Sequence, residues 1–329
     1  MLNLAAQASL SEISFHDRLP ESGGFAQALI AGLSGWQKSI PCRFLYDARG
    51  SALFDQICRL EEYYPTRTEI GILKGCAAEI AERSGPDCAL IELGGASSMK
   101  AEILLDALER PGAYVSIDIS REHLQSAVQR LHLERPGLAV HAVCADYAHA
   151  FELPCTGASG RRLGFFPGST IGNLQPDEAT VFLADWASRL GPGAAMVIGV
   201  DLRKSPDIIQ RAYDDAQGVT ACFSKNVLAR ANRELGCGFD LSQFEHRARY
   251  DIGHGRIEIH LECMADQTVT VSGVRLDIKA SERIHIEDSY KYTVAGFRDL
   301  AGAAGFTPTA VWCDPAGLFS VHFLTTPKA

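Results

Sequence analysis

Between residues 88 and 201 the chain alternates short apolar runs with longer amphipathic stretches. Five runs have the near-continuous hydrophobicity of buried parallel strands: CALIEL, AYVSID, LAVHAV, RLGFFP and AAMVIGV. Between them, KAEILLDALER, REHLQSAVQRLHLE and DEATVFLADWASRL carry apolar residues at helical spacing. The alternation predicts an α/β fold with a doubly wound parallel sheet.

The pattern changes after Asp201. The next stretch is rich in charge, and RIEIHLECM and TVTVSGVRLDI alternate apolar with polar residues, which predicts an inserted α+β domain. A helix at TVAGFRDLAGAAG then leads to TPTAVWCD and LFSVHFLTT, which we expect to form a terminal antiparallel hairpin. An α/β core that ends in a hairpin is typical of class I methyltransferases.

Composition excludes several classes of partner. The chain has 329 residues, of which 47% are hydrophobic, and a formal net charge of −9 without a basic patch, so nucleic acid is not expected as a partner. No apolar run is long enough to span a membrane, and the first residues lack the pattern of a signal peptide. The 10 cysteines show no metal-ligand spacing. We expect a cytoplasmic monomer that binds small molecules and no metal.

Polar side chains follow the first three predicted strands. Gly94 follows the first strand, where a glycine lets a ligand approach the backbone. Asp118 ends the second strand and can accept hydrogen bonds from ribose hydroxyls. Asp146 and Tyr147 end the third, and can accept from an adenine amino group and stack on the base. These residues predict a nucleoside site; the alternative is that both aspartates only cap the helices that follow.

The glycine turn favours S-adenosylmethionine over NAD as the nucleoside cofactor. GGASSMK lacks the G-x-G-x-x-G pattern of dinucleotide sites and offers Ser97, Ser98 and Lys100 instead, which suit the amino-acid end of S-adenosylmethionine. Lys100 can pair with the cofactor carboxylate or be a solvated helix lysine. Two other classes stay open: an NAD-dependent oxidoreductase, and a non-catalytic module that senses S-adenosylmethionine.

Residues 46–69 form an unusual segment in which aromatic and charged residues are mixed. Such a mixture can hold a cationic ligand, because ring faces attract ammonium groups and charged side chains orient them. The alternative is an ordinary helix, LFDQICRLEEYY, that is stopped by Pro65. The segment's aromatic residues are Tyr46, Phe54, Tyr63 and Tyr64.

The chain resembles the ergothioneine-pathway histidine-specific Nα-methyltransferases over nearly its whole length. The resemblance is carried by FLYDARGSALFDQICRLEEYYPTRTE, IELGGASSMK, FPGSTIGNL, RAYDDAQGVTACFSKNVLARANREL, FEHRARYD and IHIEDSYKYT. It implies three successive methyl transfers from S-adenosylmethionine to the α-amino group of L-histidine. It also implies an N-terminal helical segment, residues 1–66, that contributes to the substrate site, a methyltransferase core of residues 67–202 and 293–329, and an inserted substrate domain of residues 203–292.

The resemblance assigns roles to residues in the matching motifs. Asn173 and Tyr213 would bind the substrate carboxylate, although a turn residue and a half-buried helix tyrosine are the ordinary interpretations. Glu287 and Ser289 would contact the imidazole ring. We expect Gly168, in FPGSTIGNL, to join the cofactor residues.

The same resemblance places Tyr46, Phe54 and Tyr63 in an aromatic cluster around the substrate. Tyr46 is the candidate catalytic residue, which would orient the amine or relay its proton. The cluster could also hold a trimethylammonium product by cation attraction to the rings.

The strand RIHIEDSYK supplies an argument for Glu287 and Ser289 that does not depend on the family. Ile284 and Ile286 alternate with His285, Glu287 and Ser289, so strict alternation places the last three on one face. A carboxylate and a hydroxyl on one face can engage the two ring nitrogens of an imidazole. The alternative is a solvated strand face.

Two positions depart from the family pattern that we expect. Ala96 stands where the pattern has a second glycine, and Ile259 stands where it has a methionine beside the substrate ring. Ile259 is the more serious departure, because a branched side chain reshapes the wall of the pocket. Methylation of another aromatic amino acid or of a tryptophan-type amine is therefore the second candidate activity.

Overall fold

The computed structural model describes residues 13–19, 24–95 and 99–328. The helices are α1 (Phe25–Ser34), α2 (Ala48–Ile57), α3 (Tyr64–Ser84), α4 (Met99–Ala107), α5 (Arg121–Glu134), α6 (Pro176–Leu190), α7 (Pro206–Tyr213), α8 (Val219–Leu235) and α9 (Val294–Ala303). The strands are β1 (Ile13–Asp17), β2 (Ala89–Leu93), β3 (Ala113–Asp118), β4 (Val140–Cys144), β5 (Arg162–Phe166), β6 (Ala195–Asp201), β7 (Phe244–Asp251), β8 (Arg256–Cys263), β9 (Gln267–Val271), β10 (Val274–Ile278), β11 (Arg283–Tyr290), β12 (Thr307–Cys313) and β13 (Phe319–Thr325). Within these ranges, no helix combines the length and the apolar character needed to cross a membrane.

An eight-stranded sheet forms the centre of the molecule, in the order β1-β4-β3-β2-β5-β6-β13-β12. The five apolar runs are parallel strands β2 to β6, as predicted. Strand β13 runs antiparallel to both β6 and β12, which confirms the terminal hairpin. Separate apolar clusters cover the two faces of the sheet, one containing α3, α4 and α5 and the other α6 and α9. This is the Rossmann-like core of class I methyltransferases.

The N-terminal segment contains a strand, whereas the resemblance implies that residues 1–66 are helical. Strand β1 pairs in parallel with β4, with Ile13 opposite Val140, and extends the sheet at its edge. The sequence ISFHD carries too weak a signal for a strand, because only five residues pair and none of them is fully buried.

Residues 203–292 contribute α7, α8, the three-stranded sheet β11-β8-β7 and the hairpin β9-β10. The N-terminal segment shares a hydrophobic core with this region, since Leu29 of α1 and Phe44 lie in one buried cluster with Val227 of α8 and Leu261 of β8. Helix α2 packs on α8. The two regions that the resemblance relates to the substrate are thus packed against each other.

Pro65 lies in the first turn of a helix. The alternative interpretation of residues 46–69 has instead a helix that ends at Pro65. Helix α2 ends at Ile57, and α3 starts at Tyr64 with Pro65 in its first turn. A proline is favourable there, because the first turn of a helix leaves its N–H groups unpaired in any case. The break between the helices turns Tyr63, which is buried, towards the interior.

Candidate active site

Asp47 holds the start of the aromatic segment, residues 46–69, in place. Its carboxylate caps α2 by accepting the N–H of Gly50 at 2.7 Å, and it accepts the amide of Asn226 in α8 at 2.8 Å. Arg233 completes an ion pair with the same carboxylate. Hydrogen bonds of this kind stabilise a helix N-terminus and here also join α2 to the inserted region.

Four aromatic rings form a chain across the interface between the N-terminal segment and the inserted region. The ring centroids of Tyr46 and Phe54 are 5.8 Å apart, and those of Phe54 and Tyr63 are 6.2 Å apart. Tyr63 in turn lies 6.1 Å from Tyr213. Phe223 of α8 packs on Tyr46 at 5.4 Å, a contact that sequence reasoning missed although Phe223 lies within one of the motifs that carry the family resemblance.

A small cavity of about 50 Å³ lies against these rings. Every residue that was predicted to bind substrate lines it, and so does Gly168, which was predicted to bind the cofactor. The predicted residues that line the cavity are Tyr46, Phe54, Tyr63, Asn173, Tyr213, Ile259, Glu287, Ser289 and Gly168. The fold therefore brings together side chains from widely separated parts of the sequence.

A β-bulge in β11 decides which side chains face the cavity. The register shifts between His285 and Glu287, so that Glu287 lies opposite Ile259 and Ser289 opposite Ile257 on β8. Residues opposite each other in an antiparallel pair share a face, and bulges re-aim side chains. The strict alternation predicted from sequence was therefore wrong for His285, which lies opposite His260 on the other face.

The residues predicted to bind the substrate carboxylate are hydrogen-bonded to the residues predicted to bind its imidazole ring. Asn173 bonds to the carboxyl group of Glu287, and the Tyr213 phenol lies 3.0 Å from the Ser289 hydroxyl. Burial raises the pKa of Glu287 to about 7, while Lys291 and Asn173 act to lower it. A bound ligand would replace these internal hydrogen bonds with hydrogen bonds of its own to the same side chains.

A buried ionic cluster contacts Tyr213 and Ser289, which line the cavity, and sequence reasoning missed it. Asp201, at the end of β6, has no exposed side-chain surface and pairs with Lys204 at 2.5 Å and with Lys291 at 2.8 Å. The Tyr64 phenol donates to both Asp201 oxygens at 2.8 and 2.9 Å. The available signal was Lys291 between two tyrosines at the end of the strand pattern IHIEDSYKYT.

The predicted nucleoside residues lie at neighbouring strand ends. Gly94 has φ of 81°, a backbone conformation that favours glycine. Asp118 accepts the N–H of Ser120 at 2.8 Å. Asp146 accepts the N–H of Ala148 at 3.0 Å in a turn that no helix follows, so it caps no helix. Tyr147 follows Asp146 and packs edge-on against a buried aromatic residue of β5.

Lys100 makes an ion pair that we did not expect. Its ammonium group lies 2.5 Å from a carboxylate oxygen of Glu69, which is fully buried in α3. It is therefore not the solvated lysine of the alternative interpretation, and its assignment to the cofactor stays a prediction. Ala96, Ser97 and Ser98, which the sequence suggested near the cofactor, lie outside the described residues.

The strand ends have the groups that S-adenosylmethionine requires. Gly95 packs closely on β3, since a methyl group there would collide with the Ser116 hydroxyl. A carboxylate ends β3, and a carboxylate and a ring follow β4, which suits a ribose and an adenine. A larger cavity of about 860 Å³ is lined by Asp146 and also by Tyr46, which lines the small cavity as well. Among the described residues, no group of three or more His, Cys, Asp or Glu is arranged to hold a metal.

Comparison with known proteins finds similar sequences over most of the chain. The family model for SAM-dependent, histidine-specific methyltransferases matches residues 25–326. The histidine N-alpha-methyltransferase of Mycolicibacterium smegmatis is 43% identical over 297 residues, which are 88% of this chain and 91% of that protein. The histidine N-alpha-methyltransferase of Mycobacterium tuberculosis is 39% identical over 318 residues, 94% of this chain and 98% of that protein.

A more distant relative is named for a tryptophan-type substrate. The 4-dimethylallyltryptophan N-methyltransferase of Aspergillus fumigatus is 28% identical over 305 residues, 87% of this chain and 89% of that protein. The family match covers most of the chain, and both mycobacterial proteins are aligned over nearly their full length. The chain therefore belongs to the family of S-adenosylmethionine-dependent, histidine-specific methyltransferases.

Proposed function

We propose that this enzyme transfers three methyl groups in succession from S-adenosylmethionine to the α-amino group of L-histidine, which gives Nα-trimethylhistidine (hercynine) for ergothioneine biosynthesis. The observation that carries the proposal is the small cavity, where all the residues expected to bind histidine meet beside Gly168. The two histidine N-alpha-methyltransferases, at 43% and 39% identity, support the same substrate.

The transfer is an in-line displacement. S-adenosylmethionine supplies a methyl group that its sulfonium already activates. The lone pair of the amine forms the new N–C bond while the C–S bond breaks, its electrons pass to sulfur to give S-adenosylhomocysteine, and the amine loses a proton. The protein's main contributions are alignment of the amine and exclusion of water.

Tyr46 contributes as a protonated phenol. Burial is the main cause that raises its pKa well above the usual value, and the nearby Glu287 adds to the effect. A phenolate base is therefore disfavoured at neutral pH, whereas a hydroxyl can orient the amine or pass its proton to water. Asn173 and Tyr213 would hold the substrate carboxylate so that the amine faces the cofactor.

Glu287 and Ser289 would select the imidazole ring. An indole has a single N–H donor and no ring acceptor, so it would leave one of the two groups unpaired in a buried site. Ile259 is the feature that favours the tryptophan-type alternative. It lies directly opposite Glu287 in the β8–β11 pair. The 28% identity to a tryptophan-type methyltransferase is well below that to the histidine enzymes.

The aromatic rings would retain the substrate through the later transfers. Each methyl group removes an N–H donor, so the hydrogen bonds available to the nitrogen decrease while its positive charge becomes permanent. Attraction of a cation to the faces of Tyr46 and Phe54 survives this change and contributes about 0.5 to 2 kcal/mol per ring.

The proposal is tested with a panel of free amino acids, including tryptophan and mono- and dimethylhistidine, incubated with the purified enzyme and S-adenosylmethionine. We expect mass spectrometry to detect mono-, di- and trimethylated histidine, with both intermediates accepted as substrates. Methylation of tryptophan in place of histidine would contradict the substrate and leave the reaction class intact. Thermal stabilisation by NAD but not by S-adenosylmethionine would contradict the class.

A further inference from the structure

Lys291 is a buried cation that contacts two of the proposed substrate ligands. Its side chain has no exposed surface. Its ammonium nitrogen lies 2.8 Å from Asp201, 2.7 Å from the Tyr213 phenol and 2.8 Å from the Ser289 hydroxyl. An ammonium group has three protons and no acceptor, so these contacts account for all of its donors.

The contacts determine which way the two hydroxyl groups can act. The oxygen atoms of Tyr213 and Ser289 both accept from Lys291, which leaves their own protons to be donated elsewhere. Without a ligand, one proton is used in the bond between the two hydroxyls, at 3.0 Å. In the presence of a ligand, both hydroxyl groups can donate to it, because the oxygen atom of each already accepts from Lys291.

Lys291 keeps its charge across the pH range in which histidine titrates. Burial opposes the charge, but Asp201 and Tyr213 raise the pKa of Lys291 above its usual value. A permanent cation beside Ser289 disfavours a second cation on the ring that Ser289 contacts.

We propose that Lys291 is a positioning residue that makes Tyr213 and Ser289 obligate donors, so that the site binds histidine with a neutral imidazole ring. One ring nitrogen donates its N–H to an oxygen of the Glu287 carboxyl group, and the other accepts the Ser289 hydroxyl through its lone pair. The substrate carboxylate accepts from Tyr213. This inference rests on the proposed function and adds the protonation state and the tautomer of the substrate.

Other charges around the cluster act in both directions. Glu287 by itself favours a protonated ring, and the cations of the cluster oppose it. Lys204 lies on the far side of Asp201, where its ammonium group contacts the Tyr64 phenol at 2.6 Å. The titratable and charged groups that interact electrostatically with Lys291 or Glu287 are Asp201, Lys204, Tyr213, Tyr250, His285 and Asp288, and Glu287 also interacts with Tyr46, Tyr63, Cys42 and Tyr147.

Nitrogen NMR of ring-labelled histidine tests the inference directly. The complex is formed with S-adenosylhomocysteine, which permits binding without turnover, at about pH 6, where free histidine is largely protonated. We expect the bound ring to show one N–H nitrogen and one unprotonated nitrogen in a single tautomer. A protonated bound ring would overturn the inference, because Ser289 would then have no acceptor.

Lys291→Met and Lys204→Met form a matched pair of variants. Both remove a buried cation from Asp201, but only Lys291 touches the pocket hydroxyls. We expect Lys291→Met to weaken histidine binding by at least about tenfold and to raise KM more than it lowers kcat, with a bound ring that protonates at higher pH than in the wild type. We expect Lys204→Met to keep histidine affinity within about threefold and the ring neutral.

Each outcome has a distinct meaning. Equal affinities and equal ring protonation in the two variants would overturn the role of Lys291 and leave histidine as the substrate. Failure of the wild-type protein to bind histidine at any pH would instead contradict the proposed function. Should Lys291→Met not fold, the wild-type NMR measurement still tests the inference, because it needs no variant.

Discussion

The carboxylate of Glu69 accepts the backbone N–H of Gly168, with its two oxygen atoms 2.9 and 3.1 Å from the amide nitrogen, across 99 residues of sequence. The same carboxylate pairs with Lys100 at the start of α4. Glu69 thereby joins the end of residues 46–69 to the start of α4 and to the loop that follows β5. Gly199 makes room for it in β6, because a methyl group there would collide with the carboxylate.

Replacement of this carboxylate should weaken cofactor binding. Glu69→Gln leaves Lys100 without its buried counter-ion and weakens the hold on Gly168, so we expect the Kd for S-adenosylmethionine to rise about tenfold. Calorimetric titration measures the change. Glu79→Gln is the control, because Glu79 is a partly exposed carboxylate of the same helix that pairs with Arg83. Equal affinities in the two variants would contradict the role of Glu69.

Loss of the Glu287 charge should act on histidine and leave the cofactor unaffected. Glu287→Gln replaces a charged acceptor by an amide, and a hydrogen bond to a charged group contributes about 1.5 to 3 kcal/mol. We therefore expect KM for histidine to rise roughly tenfold to a hundredfold with little change in the Kd of S-adenosylmethionine. Glu245→Gln, on the exposed side of β7, is the control. A KM that does not change would remove Glu287 from the ring site.

The same variant should be more stable than the wild type above neutral pH. Burial raises the pKa of Glu287 to about 7, whereas the unfolded carboxyl titrates near its usual 4.5. The folded state thus holds the proton more tightly, and its stability falls as pH rises from about 4.5 to about 7. Urea unfolding without ligands should show an advantage for Glu287→Gln of about 1 to 3 kcal/mol at pH 8 that disappears at about pH 4.5. A constant difference across this range would refute the linkage.

Tyr46→Phe tests the role of the phenol while keeping the ring. Both aromatic contacts, with Phe54 and Phe223, would remain, so the cavity wall should keep its shape. We expect kcat to fall by about tenfold to a thousandfold with an unchanged Kd for S-adenosylmethionine, because orientation of the amine and proton relay depend on the hydroxyl. Single-turnover methylation rates measure the effect. An unchanged rate would reduce Tyr46 to a purely aromatic contact.

Gly50 should tolerate no side chain. A methyl group there would collide with the backbone carbonyl of Leu45 and contact the amide of Asn226. Gly50→Ala would push α2 away from the Leu45 carbonyl, and we expect Tm to fall by several degrees together with a higher KM for histidine. Gly71→Ala in α3 is the matched control, because open space surrounds that position and alanine favours a helix. A Tm for Gly50→Ala equal to that of the control would contradict the close packing.

Much of the core could be predicted from local patterns. Buried parallel strands are apolar throughout, so β2 to β6 stand out from the amphipathic helices between them, and the hairpin β12–β13 follows from two apolar runs around a turn. Strand β1 escaped prediction because a short, half-buried edge strand has neither signal. Pro65 was ambiguous, since proline can precede, begin or follow a helix and only the packing of Tyr63 and Tyr64 decides.

The sequence by itself determined the residue types of the site, because nucleoside and histidine recognition need particular carboxylates, amides and rings in recognisable motifs. Tertiary structure decided how they act together. The bulge between His285 and Glu287 turns two polar side chains to a buried face, which no local alternation shows. Lys291 and Glu69 have their roles only because distant strands bring Asp201 and Gly168 to them. Such ion pairs and hydrogen bonds depend on distances in space between groups far apart in the chain, and the sequence does not record those distances.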